Sequence, residues 1–151
     1  MTFSRRLEEQ DGVTVTTGAG ALDRALHALG VRRLALVTPY AQAITDQVQR
    51  FLEESGYEVI KALSLQVPTP LEIAAVPAAR LREALTDLNR AGPQAIVQSG
   101  TNLPMAHLAG EAELRLGTPV LSINVAMFWD ALRRLNIPDR LDGFGRLLAE
   151  H

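Results

Sequence analysis

Short apolar runs and longer amphipathic stretches alternate along this sequence. The apolar runs lie at residues 13–16, 34–38, 57–65, 95–97 and 119–123. The leucines between them repeat at helical spacing, in the series Leu22, Leu26, Leu29 and the series Leu81, Leu85, Leu88. Strands that alternate with helices form parallel sheets with right-handed crossovers. The sequence therefore predicts an α/β fold, a parallel sheet of about four to five strands with helices on both faces. The run 57–65 alternates imperfectly, which favours the sheet edge.

The composition limits the classes of partner. A chain of 151 residues that is 47% hydrophobic can bury a core as one domain. The net charge is −2 with acids and bases interspersed, so we expect no nucleic-acid partner and no attraction to an anionic membrane. No apolar run reaches the length of a membrane span, and the first residues lack the apolar region of a signal peptide. These features predict a cytoplasmic protein.

Cysteine is absent from the sequence. Its absence excludes disulfides, thiolate nucleophiles and zinc–thiolate sites within this chain. His27, His107 and His151 lack metal-ligand spacing, so no metal site is predicted. Gly18 and Gly20 form half of a dinucleotide fingerprint, but no third glycine follows and no acidic residue ends the next strand. We therefore predict no cofactor.

The stretch 95–104 is the first candidate for a functional site. It reads Ala-Ile-Val-Gln-Ser-Gly-Thr-Asn-Leu-Pro, which predicts a buried strand, a tight turn and a helix whose first turn holds Pro104. Open α/β sheets bind ligands at the carboxyl ends of their strands, and helix N-termini favour anions. An ordinary strand-to-helix connection uses the same small polar residues. This stretch alone does not distinguish a ligand-binding loop from an ordinary connection.

Several local signals predict the remaining elements. Thr17 can cap the helix that follows it, and Asn124 can cap the last long helix. Residues 66–76 form a long, proline-marked loop of the kind that carries function. Gly143 and Gly145 form a hinge before a short amphipathic end. Two further helices are predicted to bury one apolar face each: Ile44, Val48, Phe51, Leu52 and Phe128, Trp129, Leu132, Leu135.

Six segments together resemble one known family. They are residues 30–40, Leu71-Glu-Ile-Ala, Ser99-Gly-Thr-Asn-Leu, residues 113–122, residues 126–133 and the Gly-x-Gly tail. In order and spacing they resemble the C-terminal lobe of the aspartate/glutamate racemase superfamily, in the branch of maleate cis–trans isomerase and arylmalonate decarboxylase. The resemblance covers nearly the whole chain. It implies one lobe of a two-lobe α/β fold in which each lobe usually offers a cysteine to a small carboxylate.

The resemblance also assigns individual residues. Tyr40 matches a tyrosine that hydrogen-bonds the substrate carboxylate, and Ser99, Thr101 and Asn102 match a motif that normally reads Ser-Cys-Thr-Asn. Gly100 stands where the cysteine of that motif belongs, so no catalytic residue is assigned. The expected substrate-binding residues are Tyr40, Ser99, Gly100, Thr101 and Asn102. Because relatives carry cysteine at the Gly100 position, we expect Gly100→Cys to fold without strain.

A second departure is Pro70, which replaces a substrate-binding asparagine of isomerase-like members. The resemblance also divides the chain into three parts. Residues 1–29 match the closing segment of the first lobe, residues 30–137 form the C-terminal lobe, and residues 138–151 form a tail expected to pack on the other lobe or a partner. An unpartnered lobe exposes apolar surface, so we expect a homo-oligomer or a complementing lobe.

Three functions are consistent with these features. The first is a racemase-, isomerase- or decarboxylase-like protein that binds a small carboxylate or dicarboxylate without the usual cysteine chemistry. The second is an active enzyme of the maleate isomerase or arylmalonate decarboxylase kind, completed by a partner lobe or second copy and using a base other than cysteine. The third is a non-catalytic module that oligomerises. Whether the chain is an enzyme stays open at this point.

Overall fold

The computed structural model describes residues 3–151, with side chains from residue 6 onward. Four strands are assigned in it: β1 Arg33–Thr38, β2 Glu58–Ser64, β3 Ala95–Gln98 and β4 Val120–Ser122. The helices are α1 Phe3–Asp11, α2 Gly18–Ala28, α3 Gln42–Glu54, α4 Pro70–Ala74, α5 Ala78–Asn89, α6 Ala106–Leu116, α7 Ile123–Arg134 and α8 Arg146–Glu150.

All four strands are parallel and lie in the order β2-β1-β3-β4. Strand β2 is at an edge, as its imperfect alternation predicted. Successive side chains of a strand point to opposite faces. Leu36 and Val97 accordingly join the core beneath α2, α3 and α7, whereas Val37 and Ile96 join the core beneath α5 and α6. The predicted parallel sheet with helices on both faces is confirmed.

The predicted strand at residues 13–16 is not formed. Val13 is exposed, and this segment is extended without a sheet neighbour. Its polar groups find side-chain partners instead: the Val15 N–H donates to Glu8 Oε1 at 3.0 Å, and Thr16 Oγ1 donates to Asp130 at 2.8 Å. β-Branched residues form a strand only where an adjacent strand is available to hydrogen-bond with their backbone. Here side chains of two helices take that place.

Of three predicted helix starts, one is observed where the sequence predicts it and two are not. Thr17 caps α2 by accepting a hydrogen bond from Gly20 N at 3.2 Å, as predicted. Pro104 lies two residues before α6, because a turn stabilised by a Leu103 N to Gly100 O bond comes first. Asn124 lies inside the first turn of α7, and Ser122 is the residue at the cap position.

The predicted loop at residues 66–76 contains the short helix α4, which Thr69 caps. The apolar faces of α3 and α7 are narrower than predicted. Leu52 and Trp129 are buried, whereas Ile44, Phe51, Phe128 and Leu135 are exposed, by 44–61%. Both predicted stripes were therefore too wide, although Val48 and Leu132 also pack against the core.

The tail packs on the lobe described here. Gly143 and Gly145 have φ of 86° and 89°, which lets the chain turn closely past Gly110. Leu147 and Leu148 of α8 are then buried in the core beneath α7. Contact of residues 138–151 with another lobe stays a prediction.

Across residues 3–151 no helix is long and apolar enough to cross a membrane. The cytoplasmic location stays a prediction from the sequence.

Candidate functional site

A cavity of about 350 Å³ opens at the carboxyl edge of the sheet, between the ends of β1 and β3 and helices α2, α3 and α7. It brings together four of the five predicted site residues. These are Tyr40, Ser99, Gly100 and Thr101. Asn102 is exposed on the same loop and does not line the cavity.

The backbone of Tyr40 is firmly held where β1 ends. Its N–H donates to Thr38 Oγ1 at 3.3 Å, and its carbonyl accepts from Ser64 Oγ at 2.5 Å and from Gln66 N at 3.2 Å. The side chain is half-buried, and its hydroxyl points toward residue 100. A Cβ built on Gly100 would lie 3.4 Å from Tyr40 Oη. Tyr40 is therefore presented to the cavity by a rigid turn.

Gly100 is buried and has a φ of 129°, in the region that favours glycine. A Cβ at this position would lie 2.6 Å from Pro39 Cδ and 2.7 Å from Pro39 Cγ. Both the backbone angle and the proline ring oppose a side chain here. The expectation that Gly100→Cys folds without strain is therefore wrong for this backbone.

Two carbonyls of the loop after β3 accept hydrogen bonds from within the protein. Gln98 Nε2 donates to the Gly100 carbonyl at 2.7 Å, and the Leu103 N–H donates to the same oxygen at 3.2 Å. Asn124 Nδ2 donates to the Thr101 carbonyl at 2.9 Å. Asn124 thus ties the loop to α7 rather than capping that helix.

The donors of the same loop are unoccupied. Within residues 3–151, the backbone N–H groups of Gly100, Thr101 and Asn102 donate to no protein acceptor. Nor do the hydroxyls of Tyr40, Ser99 and Thr101 make a hydrogen bond to any residue in this range. A run of backbone N–H groups in a turn forms a concavity that suits anions. The site therefore offers backbone N–H groups and hydroxyls that are free to donate.

The opposite wall of the cavity is mostly apolar. It is formed by Leu22, Ile44, Val48, Phe51 and Ile123, with Gln47 of α3 as a polar member. The lining residues include no charged side chain. An anion held here would be bound by N–H and O–H dipoles, and an apolar substituent would contact α3.

Sequence reasoning missed two residues that shape the loop. Gln98 and Ser122 are both fully buried at the ends of β3 and β4, and Ser122 Oγ donates to Gln98 Oε1 at 3.1 Å. The available signal was a glutamine that directly follows the apolar run 95–97. A polar residue at the end of a buried strand needs a partner.

Among the described residues that line the cavity there is no cysteine, histidine or carboxylate, and its only hydroxyl side chains are those of Tyr40, Ser99 and Thr101. The sequence has no cysteine, and His107 lies on α6 with its ring 4.5 Å from that of Phe144. Among residues 3–151, no group of three His, Asp or Glu side chains could hold a metal ion.

A larger groove of about 830 Å³ lies between α1, α2 and α3, but its charged groups are largely paired. Arg24 donates to both oxygens of the buried Asp130, at 2.5 and 2.7 Å, and Arg134 pairs with Glu8. Burial alone would raise the pKa of Asp130, but hydrogen bonds from Arg24 and Thr16 outweigh it and hold the pKa below its ordinary value. These contacts join the segment before α2 to α7, so we assign them a structural role.

Comparison with known proteins shows the relationship of the chain. Residues 1–148 match the family described as arylmalonate decarboxylase. The chain is 34% identical over 137 residues to a maleate isomerase of Nocardia farcinica, which covers 90% of this chain and 55% of that protein. It is 33% identical over 147 residues to an arylmalonate decarboxylase of Bordetella bronchiseptica, with coverage of 95% and 61%.

A solved structure shares the fold closely. It is a mutant of the Nocardia farcinica maleate cis–trans isomerase with a covalently bound succinylcysteine intermediate. The TM-score is 0.92 at 31% identity, covering 98% of this chain and 63% of that one. The chain spans little more than half the length of the curated maleate isomerases it matches. On sequence and on fold, this chain belongs to the arylmalonate decarboxylase family.

Proposed function

We propose that the cavity is a binding half-site for a small carboxylate or dicarboxylate and that it works without cysteine chemistry. The observation that carries this proposal is the donor-rich loop. Among residues 3–151, the N–H groups of Gly100 and Thr101 on the cavity wall have no protein acceptor, and the hydroxyls of Tyr40 and Ser99 line the same cavity. N–H and O–H donors without an internal acceptor are what a carboxylate requires, because its oxygens accept hydrogen bonds.

The chemistry of a relative indicates which catalytic group this chain lacks. A succinylcysteine, as carried by the Nocardia enzyme, requires a thiol, and this chain has none. Without the nucleophile, an enzyme keeps only the contribution of binding and of oxyanion stabilisation. The donors of this loop would supply that contribution by orienting the carboxylate and stabilising negative charge on its oxygens.

A second candidate is that the site is completed by another lobe or by a second copy. Ile44 and Phe51 are apolar, 47% and 44% exposed, and lie on the cavity wall. Exposed apolar residues at the rim of a site favour an interface. In that arrangement the other lobe would bring a base other than cysteine. Residues 1–29 and 138–151 remain the proposed contact segments, although α2 and α8 also pack within this lobe.

The test is calorimetric titration of the full chain with malonate, maleate, aspartate and phenylacetate. At a hundred times its dissociation constant, a ligand raises the free energy of unfolding by about 2.7 kcal/mol, which thermal denaturation detects independently. We expect at least one carboxylate to bind and to stabilise the fold. If none of the four does either, the half-site proposal fails. Sedimentation at micromolar concentration measures whether the chain self-associates. The second candidate function requires self-association or a partner, whereas the first does not.

A further inference from the structure

Gln98 occupies a position that the fold alone does not explain. It ends β3 directly after Ala95, Ile96 and Val97, and its side chain is fully buried. An amide in this environment must find partners for both its ends, because an unpaired buried polar group is costly. An apolar β-branched residue would continue the strand without that requirement.

Both ends of the amide are fixed. Ser122 Oγ donates to Gln98 Oε1 at 3.1 Å, which leaves Gln98 Nε2 to donate to the Gly100 carbonyl at 2.7 Å. Ser122 is itself fully buried at the start of α7. The hydroxyl therefore sets which end of the amide faces the loop.

The hydrogen bond to Gly100 determines the direction of the next N–H. All peptide bonds of the described chain are trans, so the N–H of Thr101 points opposite to the Gly100 carbonyl. While that carbonyl is held against Gln98, the Thr101 N–H faces away from the sheet interior. The carbonyl already accepts from Leu103 N at 3.2 Å, so the turn has a hydrogen bond of its own.

We propose that Gln98 is a positioning residue for the carboxylate site: its hydrogen bond to the Gly100 carbonyl holds the Thr101 N–H in the orientation that receives the ligand carboxylate. This inference rests on the proposed function, since it concerns the same loop. It adds a residue that does not line the cavity and acts through the peptide between Gly100 and Thr101. Ser122 supports it by holding the amide.

The test compares Gln98→Met with wild type by calorimetry, using phenylacetate and its uncharged analogue phenylacetamide as probes. Methionine keeps the length of the side chain and removes the hydrogen bond. We expect phenylacetate to bind about tenfold more weakly, a loss of about 1.4 kcal/mol, while binding of phenylacetamide to the apolar wall is unchanged. A merely structural role would weaken both probes together.

Gln94→Met is the matched control at the other end of the strand. Gln94 Oε1 accepts from the backbone N–H groups of Arg32 and Arg33, each at 2.8 Å, far from the cavity. This variant loses hydrogen bonds to backbone in the same way, and we expect it to bind both probes like wild type.

The outcomes separate the two proposals. If wild type binds no carboxylate, the proposed function fails and the positioning role fails with it. If wild type binds phenylacetate and folded Gln98→Met binds it equally well, or loses both probes alike, the role of Gln98 is overturned while the half-site stands. If Gln98→Met does not fold, Ser122→Ala decides: about threefold weaker phenylacetate binding supports the proposal, and unchanged binding overturns it.

Discussion

The loop after β3 and the turn before α8 use the same backbone device but leave their polar groups in opposite states. Each has a buried or closely packed glycine with positive φ. A Cβ on Gly100 would meet Pro39, and one on Gly145 would lie 2.8 Å from Glu113 Oε2. At the tail, Glu113 accepts from Val120 N, Arg146 N and Arg146 Nε at 2.9–3.2 Å. At the cavity, the donors have no acceptor within residues 3–151.

This difference suits the tail turn to stabilising the fold and the cavity loop to the proposed binding of a ligand. A buried carboxylate whose oxygens are all occupied holds two segments together and has nothing left for a ligand. At the cavity loop, the carbonyls of Gly100 and Thr101 are bonded within the protein, and the open N–H groups support the proposed binding of an anion. Changes at the tail should therefore affect unfolding, whereas changes at the cavity hydroxyls should affect ligand binding.

The largest effect is expected for Glu113→Ala. The change leaves the N–H groups of Val120 and Arg146 and the Arg146 guanidinium without their acceptor. We expect a loss of about 3–5 kcal/mol in the free energy of unfolding, measured by urea denaturation, mainly because two backbone N–H groups lose their acceptor. Glu111→Ala on the same helix is the control, because its pair with Arg82 is exposed, and we expect little change there. Similar stability of the two variants would contradict a structural role for Glu113.

Gly100→Ala should come next. It combines an unfavourable backbone angle with a contact to the Pro39 ring, and we expect a loss of about 3 kcal/mol together with weaker carboxylate binding. Gly117→Ala isolates the backbone effect, because Gly117 has a φ of 70° and open space around it. That control should lose only about 1 kcal/mol. Equal losses in both variants would show that the Pro39 contact is relieved at no cost.

A pH-dependent effect is expected at Asp130. Its pKa in the folded protein is lower than in the unfolded chain, so its ion pair stabilises the fold above the ordinary value of about 3.9. That stabilisation disappears as the pH falls through the lowered folded-state pKa. We expect Asp130→Asn to lose about 2 kcal/mol at pH 7 and to approach wild type in acid.

The measurement is urea denaturation of both proteins from pH 7 to pH 3. Asp142→Asn, which neutralises an exposed carboxylate, controls for the change in net charge. If the difference in the free energy of unfolding between wild type and Asp130→Asn did not change with pH, the proposed contribution of the ion pair would be contradicted.

The smallest effect is expected for Tyr40→Phe. The hydroxyl makes no hydrogen bond to any residue the structure describes, so the free energy of unfolding should stay within about 0.5 kcal/mol of wild type. Carboxylate binding should weaken by about 1 kcal/mol, measured by calorimetry.

Tyr57→Phe is the reverse case. The Tyr57 hydroxyl donates to Asp23 Oδ1 at 2.7 Å, and burial together with this bond raises the pKa of the phenol. Loss of this hydrogen bond should lower the free energy of unfolding by about 1 kcal/mol and leave carboxylate binding unchanged. If Tyr40→Phe lowered stability and Tyr57→Phe lowered binding, the division between the two regions would be wrong.

The elements that depend on local periodicity could be predicted from the sequence. Leu81, Leu85 and Leu88 are buried on α5 as their spacing indicates, and each of the four strands coincides with one of the apolar runs from residue 34 onward to within one residue at each end. The chemistry that cysteine would supply was excluded by composition alone. The resemblance, carried by short motifs, identified the family and directed attention to Tyr40 and to residues 99–102.

Tertiary packing decided what periodicity leaves open. The run 13–16 has strand propensity, yet contacts to Glu8 and Asp130 replaced the neighbouring strand it needed. Ile44 and Phe51 have the spacing of core residues, yet they border the cavity. Gly100 shows the same limit, because a sequence position says nothing of φ or of the Pro39 ring beside it.

The composition and periodicity of this chain determined the α/β class, the helices that cover the sheet, and the absence of a thiol. The tertiary structure determined which donors remain open at the carboxyl edge. The physical reason is the range of the interactions. Helix and strand patterns arise from residues a few positions apart. The bonds that shape the site, such as Ser122 to Gln98 and Asn124 to Thr101, join residues more than twenty positions apart and exist only once the sheet has formed.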